Sequence, residues 1–103
     1  MAGGNRRVVS FDLDTKAMEE YYPNPLCWRN GYDDIRRFIT DNGFEWKQGS
    51  VYISKQPIED YMVNIIISEM VRKHPWLNCC MRDCILASIG RQRSLNDLFY
   101  KRI

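Results

Sequence analysis

The stretch GFEWKQGSVY, from Gly43 to Tyr52, carries the clearest structural pattern in the chain. Two short runs of aromatic and aliphatic residues flank the pair Gln48–Gly49. We interpret that pair as the two-residue loop of a β-hairpin, because Gly49 can supply the positive φ that such turns need. Direct cross-strand partners share a sheet face, and successive residues alternate between faces. The hairpin therefore has one apolar face, with Phe44, Trp46, Val51 and Ile53, and one polar face, with Glu45, Lys47, Ser50 and Tyr52.

Two further segments show the alternation of half-buried strands. The first is Arg6–Leu13, in which one face has Val9, Phe11 and Leu13 and the other has Val8, Ser10 and Asp12. The second is Met81–Ile89, in which Ile85, Ala87 and Ile89 alternate with Cys84, Leu86 and Ser88. We predict that these segments form the first and last strands.

Two segments have helical spacing and recognisable ends. The first helix is expected to begin at Asn30, as N-cap, and to end at Gly43, which suits the left-handed position after a helix. The second lies between Pro57, which suits a first turn, and Pro75, which stops a helix. The apolar residues predicted to face the core are Tyr32, Ile35, Phe38 and Ile39 in the first helix, and Ile58, Tyr61, Met62, Ile65, Ile66 and Met70 in the second.

The order strand, helix, hairpin, helix, strand predicts an α+β fold, a ferredoxin-like βαββαβ sandwich. It has a four-stranded antiparallel sheet with two helices on one face. A chain of 103 residues suits one domain, so we expect a flexible leader at residues 1–5 and a single domain over residues 6–103. The uncovered sheet face would carry Ser10 and Asp12 with the polar hairpin residues. Val8 and Leu86 are predicted on the same face, and their apolar character indicates a partner there.

Composition and charge exclude several classes of protein. The chain is 45% hydrophobic and 27% charged, which is ordinary for a globular domain and argues against disorder. A net charge of +2 gives no global field for a polyanion, so nucleic-acid binding would depend on a local cluster. No apolar run approaches a membrane span, and the first residues lack the hydrophobic region of a signal peptide. We therefore expect a cytoplasmic protein with no membrane partner.

Common catalytic and metal-binding signatures do not occur in the sequence. His74 is the only histidine, so a paired-histidine site within one subunit is excluded, and its place before Pro75 suggests a surface or capping role. The four cysteines match neither a zinc-finger spacing nor a CxxC motif, and we expect them to be free thiols that act as small buried or half-buried hydrophobic residues. They are Cys27, Cys79, Cys80 and Cys84.

Asp12 is the most promising chemical group, because a carboxylate on an otherwise apolar strand is costly to bury without a partner. The alternative is that Asp12 only caps the strand or the turn that follows it. A basic and aromatic cluster near the C-terminus is of the kind that can hold a phosphate backbone. Its members are Arg91, Arg93, Phe99, Tyr100, Lys101 and Arg102.

Four motifs in this order and spacing resemble the virulence-associated protein D (VapD) family. They are FDL at Phe11–Leu13, YDDIR at Tyr32–Arg36, GFEWKQGSVY at Gly43–Tyr52 and RD at Arg82–Asp83. The resemblance spans residues 8–89, and GFxxxQGSxY is its most specific part. It implies a small bacterial endoribonuclease that acts as the toxin of a toxin–antitoxin pair. It also implies a ferredoxin-like subunit that forms a homodimer, similar in fold to the small nuclease-like protein of CRISPR adaptation.

The resemblance further implies that Asp12 is the functional carboxylate and faces its symmetry mate across the dimer. The chain departs from the family pattern after Asp83, where it reads CILASI and relatives usually carry another arginine and an aromatic residue. No role is therefore carried over beyond Asp83. Asp14 has no fixed counterpart in the family, and no role is transferred to it.

The leading hypothesis is an endoribonuclease in which Asp12 of two subunits holds Mg²⁺ or another divalent cation, or shares a proton. Ser50 and Tyr52 would position the RNA and Arg82 would neutralise the phosphate, although Ser50 and Tyr52 could instead pack at the dimer interface. The expected partners are RNA, a second copy and a protein antitoxin. The alternative is a non-catalytic dimeric module that binds nucleic acid or protein through the open sheet face. Replacing Asp12 by a neutral residue distinguishes the two hypotheses, because a binding module should tolerate the change and a nuclease should not.

Overall fold

Four antiparallel strands and two main helices give the chain its architecture, in a computed structural model that describes residues 5–90, 95 and 98. The elements are β1 (Arg6–Leu13), α1 (Thr15–Tyr21), a 3₁₀ helix (Pro25–Cys27), α2 (Asn30–Asp41), β2 (Phe44–Gln48), β3 (Val51–Ser54), α3 (Asp60–Lys73), α4 (Leu77–Cys80) and β4 (Met81–Ile89). The sheet order is β2-β3-β1-β4, and every neighbouring pair is antiparallel. This confirms the ferredoxin-like α+β prediction. The predicted leader, apart from its last residue, and the C-terminal basic cluster lie outside the described residues.

The core lies between the sheet and the helices. β1 and β4 have the predicted bounds, and β1 turns its predicted apolar face toward the helices. α2 contributes Ile35 and Ile39, which are buried, and it ends where Gly43 takes a φ of +94°, as predicted. The buried residues of the core are Val9, Phe11, Leu13, Met18, Ile35, Ile39, Phe44, Tyr52, Val63, Met70, Trp76, Leu77 and Cys80.

Several predictions about the helices need correction. α2 begins at Asn30 itself, so Arg29 occupies the cap position and no side chain caps the helix. α3 begins at Asp60, because the chain before it is still extended at Glu59. Three residues predicted to be in the core of α3 are exposed instead: Tyr61, Met62 and Ile65. α3 is apolar around much of its circumference, and a helix in a two-layer fold buries only one stripe.

The cysteines behave differently from one another. Cys80 is buried at the end of α4, as expected, whereas Cys27, Cys79 and Cys84 are exposed. All four are free thiols. Burial raises the pKa of the Cys80 thiol above the ordinary value, which keeps it protonated near neutral pH.

The β2–β3 hairpin is present, but its turn and register differ from the prediction. Gln48 pairs with Val51, so the turn residues are Gly49 and Ser50 and not Gln48 and Gly49. Gly49 has a φ of +48°, so it does supply the positive φ. Trp46 pairs with Tyr52, and the register shifts between Trp46 and Gln48. The extra residue in β2 is Lys47, which makes the hairpin bulged.

The bulge changes which side chains face the helices. Tyr52 shares a face with Phe44 and Trp46, is only 1% exposed and stacks on Phe11 with ring centroids 6.0 Å apart. The predicted polar-face position of Tyr52 is therefore wrong, because one inserted residue moves every later side chain to the opposite face. The predicted apolar face is wrong as well, since Val51 and Ile53 lie on the side away from Phe44 and Trp46.

The side of the sheet away from the helices is here called the open sheet face. Leu86 was predicted on it, but Leu86 pairs with Val9 and packs against the core. The predicted alternation of β4 is correct, but its two sets of side chains lie on the opposite faces from those predicted. The open sheet face has the apolar residues Val8, Val51, Ile53, Ile85, Ala87 and Ile89 together with the polar and charged residues Arg6, Ser10, Asp12, Glu45 and Asp83. It is more apolar than predicted, and Ile85 is 51% exposed.

No helix in the described part of the chain combines the length and the apolar character needed to cross a membrane.

A candidate catalytic site at one end of the sheet

The predicted site residues meet where β1 ends, β4 begins and the β2–β3 hairpin turns. Asp12 lies directly opposite Asp83 in the β1–β4 ladder. The backbone N–H of Phe11 donates a hydrogen bond to the carbonyl of Ser50 at 3.2 Å. This region, comprising Asp12, Arg82, Asp83 and the turn Gly49–Ser50, is called the catalytic end of the sheet. It brings together three of the four predicted site residues.

Asp12 and Arg82 form an exposed ion pair at this end. Nη1 of Arg82 lies 3.7 Å from Oδ2 of Asp12, and each side chain is 62% exposed. Exposed pairs of this kind contribute about 0–1 kcal/mol, so replacing one partner by a ligand costs little. Asp12 contacts the side chain of Arg82, whereas the nearby carboxylate of Asp14 accepts hydrogen bonds from backbone N–H groups at the start of α1.

A β-bulge places Arg82 in this pair. Leu13 pairs with Met81 and Asp12 pairs with Asp83, which leaves Arg82 as the extra residue of β4. A bulge bends its strand and redirects the side chain of the inserted residue. Arg82 therefore reaches the carboxylate of Asp12 on the neighbouring strand. The sequence contains no sign of this bulge, and only the observed register reveals it.

Asp83 is a site residue to which sequence reasoning gave no role. It lies on the open sheet face directly opposite Asp12, and two like charges at such positions destabilise a sheet. Positive charge between or beside them relieves that repulsion, and Arg82 supplies part of it. The arrangement therefore favours a cationic ligand or a cationic side chain at this point. The RD motif at Arg82–Asp83 was the available signal.

Tyr32 approaches the site from the helix layer. It lies near the start of α2, where burial and then the nearby charge of Asp12 raise the pKa of its phenol. A neutral phenol can donate a hydrogen bond to a carboxylate or to a phosphate oxygen. Sequence reasoning placed Tyr32 only in the core stripe, although it opens the YDDIR motif.

The other two residues predicted to bind RNA, Ser50 and Tyr52, lie in different environments. Ser50 lies in the turn at the catalytic end and is half-buried, so its position is compatible with the predicted role. Tyr52 is buried beneath the helices and offers no surface to RNA. Its assignment rested on the open-face position, which the bulge at Lys47 removes.

The oxygen ligands at this end suit a hard divalent cation. Asp12 and Asp83 supply two facing carboxylates, and Mg²⁺ is typically held by one or two carboxylates, substrate phosphates and several waters. Within the described residues there is no cluster of three or more histidine, cysteine, aspartate or glutamate side chains that could form a complete protein cage. The donor set therefore fits a cation that is shared with a substrate.

Comparisons with known proteins identify relatives over most of the chain, although no protein-family model matches it. The chain is 30% identical over 88 residues to endoribonuclease VapD 2 of Riemerella anatipestifer, which covers 85% of this chain and 93% of that protein. It is 31% identical over 88 residues to an endoribonuclease VapD homolog of Helicobacter pylori, with 85% and 90% covered. A shorter match to endoribonuclease VapD of Dichelobacter nodosus is 36% identical over 47 residues and covers 46% of this chain and 48% of that protein.

Proposed function

The chain belongs to the VapD family, and from this premise we propose that it is an endoribonuclease whose catalytic carboxylate is Asp12. The relatives that share most of its length are named endoribonucleases. The single observation that carries the proposal is the exposed Asp12–Arg82 pair opposite Asp83. It combines a carboxylate and a guanidinium within 3.7 Å on an accessible surface.

The two charged groups match the needs of phosphodiester cleavage. The reaction requires activation of an oxygen nucleophile and stabilisation of negative charge on the phosphate. Asp12 takes the proton of the nucleophile or orients it, and Arg82 donates hydrogen bonds to the phosphate oxygens. Because the Asp12–Arg82 pair is weak, a phosphate can replace Asp12 as the partner of Arg82. Ser50 lies in the adjacent turn and supports the phosphate from the hairpin side.

A divalent cation fits this scheme without being required by it. Asp12 would hold the ion, with Asp83 as the facing carboxylate. The chemistry that such a cation supplies when bound is polarisation of the phosphate and activation of the nucleophile.

The open sheet face supports a homodimer as the active form. Its apolar side chains include Val8, Val51 and Ile85, and a second copy would remove them from water. A two-fold interface uses the same patch on both subunits. Because Asp12 lies on that face, face-to-face packing would bring the two Asp12 carboxylates to the same interface. Two close carboxylates can share a proton or a cation.

The biological role that we propose is the toxin of a bacterial toxin–antitoxin pair, acting in the cytoplasm. This part rests on the VapD resemblance. An RNA-cleaving toxin restrains translation and growth, and a protein antitoxin would neutralise it by binding.

An RNA-degradation assay with purified protein, with and without a chelator, tests the proposed activity. We expect defined fragments from a mixed panel of single-stranded and structured RNAs. Loss of cleavage with chelator, restored by Mg²⁺, would show that the reaction needs a divalent cation, and unchanged cleavage would favour the general-base role of Asp12. If the folded protein binds these RNAs but cleaves none of them, the non-catalytic binding module replaces the proposal.

A further inference from the structure

Trp46 and Arg36 form an exposed stacked pair close to the catalytic end of the sheet. We propose that the uncovered face of the Trp46 indole stacks on a base of single-stranded RNA, while Arg36 contacts an adjacent phosphate. The inference rests on the proposed function, because it takes RNA as the ligand. It adds a substrate class and a subsite to the Asp12 site.

The indole is held in a fixed orientation by two contacts. Its Nε1–H donates a hydrogen bond to the carbonyl of Gly49 at 2.9 Å. The guanidinium carbon of Arg36 lies 3.9 Å from the ring centroid. A cation over one face of a tryptophan is attracted by the ring quadrupole. The ring is therefore ready for stacking before any ligand binds.

A large part of the Trp46 ring is open to water beside Arg36. Trp46 is 45% exposed although Arg36 lies over one face, so much of the exposed area belongs to the other face and its edges. Phe44 and Tyr52, which share the sheet face with Trp46, are both buried. A large aromatic side chain that is held in place and left in water is typical of a binding surface.

Arg36 keeps positive charge beside this ring. It pairs with Asp33 at 3.8 Å across an exposed surface, which is a weak interaction. It also lies near the hydroxyl of Tyr52, where burial raises the pKa of the phenol and the charge of Arg36 opposes that rise. The partly exposed guanidinium can therefore turn some of its N–H groups to a phosphate without leaving the ring.

Two series of neighbouring residues link the Trp46–Arg36 pair with Asp12. Tyr32 and Arg36 are four residues apart on α2, so they are neighbours on one helix face, and Tyr32 feels the charge of Asp12. On the strand side, Trp46 bonds to Gly49, and the next residue, Ser50, accepts the bond from Phe11 beside Asp12. An RNA strand passing over the end of the sheet would meet the indole and the carboxylate in turn.

The chemistry of the subsite favours unpaired RNA without a strong sequence preference. Every base has a π-face, so stacking on an aromatic side chain is sequence-tolerant. Bases within a duplex are already stacked on their neighbours, whereas bases of loops and single strands can be splayed out onto a protein ring. We therefore expect cleavage within single-stranded segments.

Binding of a labelled oligoribonucleotide, compared with an abasic ribose-phosphate oligomer of equal length, tests this inference. Measurements in the Asp12→Asn background prevent cleavage. Trp46→Leu should weaken binding of the base-bearing strand by roughly 5- to 150-fold, which is the range of stacking one base on an aromatic ring. The abasic strand should bind equally to both forms. Trp46→Tyr should restore most of the affinity, which separates stacking from folding.

Tyr61→Leu is the matched control. Tyr61 is an exposed aromatic residue near the other end of the sheet, next to Asp60, which pairs with Arg7. Its removal should not change binding of either strand. Unchanged affinity of Trp46→Leu, or an equal loss for base-bearing and abasic strands, overturns the inference. Cleavage by the wild-type chain is scored separately, so base-dependent binding without cleavage would overturn the proposed function and leave the stacking subsite standing.

Discussion

At the scale of single residues, two aspartates near the end of β1 show what the sequence can and cannot distinguish. Asp14 accepts hydrogen bonds from the backbone N–H groups of Lys16 and Ala17, so it caps α1. Asp12 contacts Arg82 on the sheet surface. Both are turn-flanking carboxylates in the sequence, and alternation alone identifies Asp12 as surface-facing. Its arginine partner depends on a bulge, which alternation does not predict.

The conformation of Gly49 gives a prediction at this scale. Gly49→Val should lower the free energy of unfolding by about 1 kcal/mol or more, because a β-branched residue disfavours a φ of +48°. Gly90→Val is the matched control, since an added Cβ meets nothing within 4 Å at either position. Of these two glycines, only Gly49 has a positive φ. The denaturant midpoints of the two variants measure both changes in stability. Equal effects at the two sites would contradict the strained-turn explanation.

At the scale of elements, the strands and their order were predictable, whereas two face assignments were not. β1 and β4 have the predicted bounds, because apolar residues that recur at every second position are a strong local signal for a strand. Tyr52 was assigned to the wrong face because the extra residue Lys47 shifts the register of the hairpin. Leu86 was assigned wrongly because both faces of β4 carry apolar residues, so alternation leaves its orientation open. Only pairing with β1 decides it.

The corrected face of β4 makes the dimer testable. Ile85→Lys should convert the proposed homodimer to a monomer without unfolding it, because Ile85 is 51% exposed on the open sheet face and a lysine there would be desolvated by a partner. Tyr61→Lys places the same charge on exposed α3, on the helix side, and should leave the mass unchanged. Light scattering at micromolar concentration measures the mass. A dimeric, folded Ile85→Lys protein would place the interface elsewhere.

At the scale of the whole molecule, the two layers give the chain two distinct surfaces. The helices cover one side of the sheet, and the other side leaves several apolar side chains without a covering layer among its charged residues, which supports the proposed pairing with a second copy. The catalytic end of the sheet lies at the surface, where β1, β4 and the hairpin turn meet near the start of α2. The fold was predictable because each element had its own local signal. Of the proposed site, the sequence predicted only Asp12, Ser50 and Arg82, since Tyr32, Arg36, Trp46 and Asp83 approach them through tertiary packing and register.

The comparison of Asp12→Asn with Asp14→Asn tests the central claim, catalysis by Asp12, most directly. Asn is nearly isosteric with Asp, and at position 14 it remains a good N-cap, so both variants should fold. Asp12→Asn should lose roughly 100-fold or more of the RNA-cleavage rate, because an amide neither takes up a proton nor binds a hard cation well. Its RNA affinity should stay equal or rise, since one negative charge is removed. Asp14→Asn should cleave at close to the wild-type rate.

The measurement is the single-turnover cleavage rate of one RNA by the three proteins, each with a matched melting temperature. We predict that only Asp12→Asn is inactive. Cleavage by folded Asp12→Asn at close to the wild-type rate would contradict it.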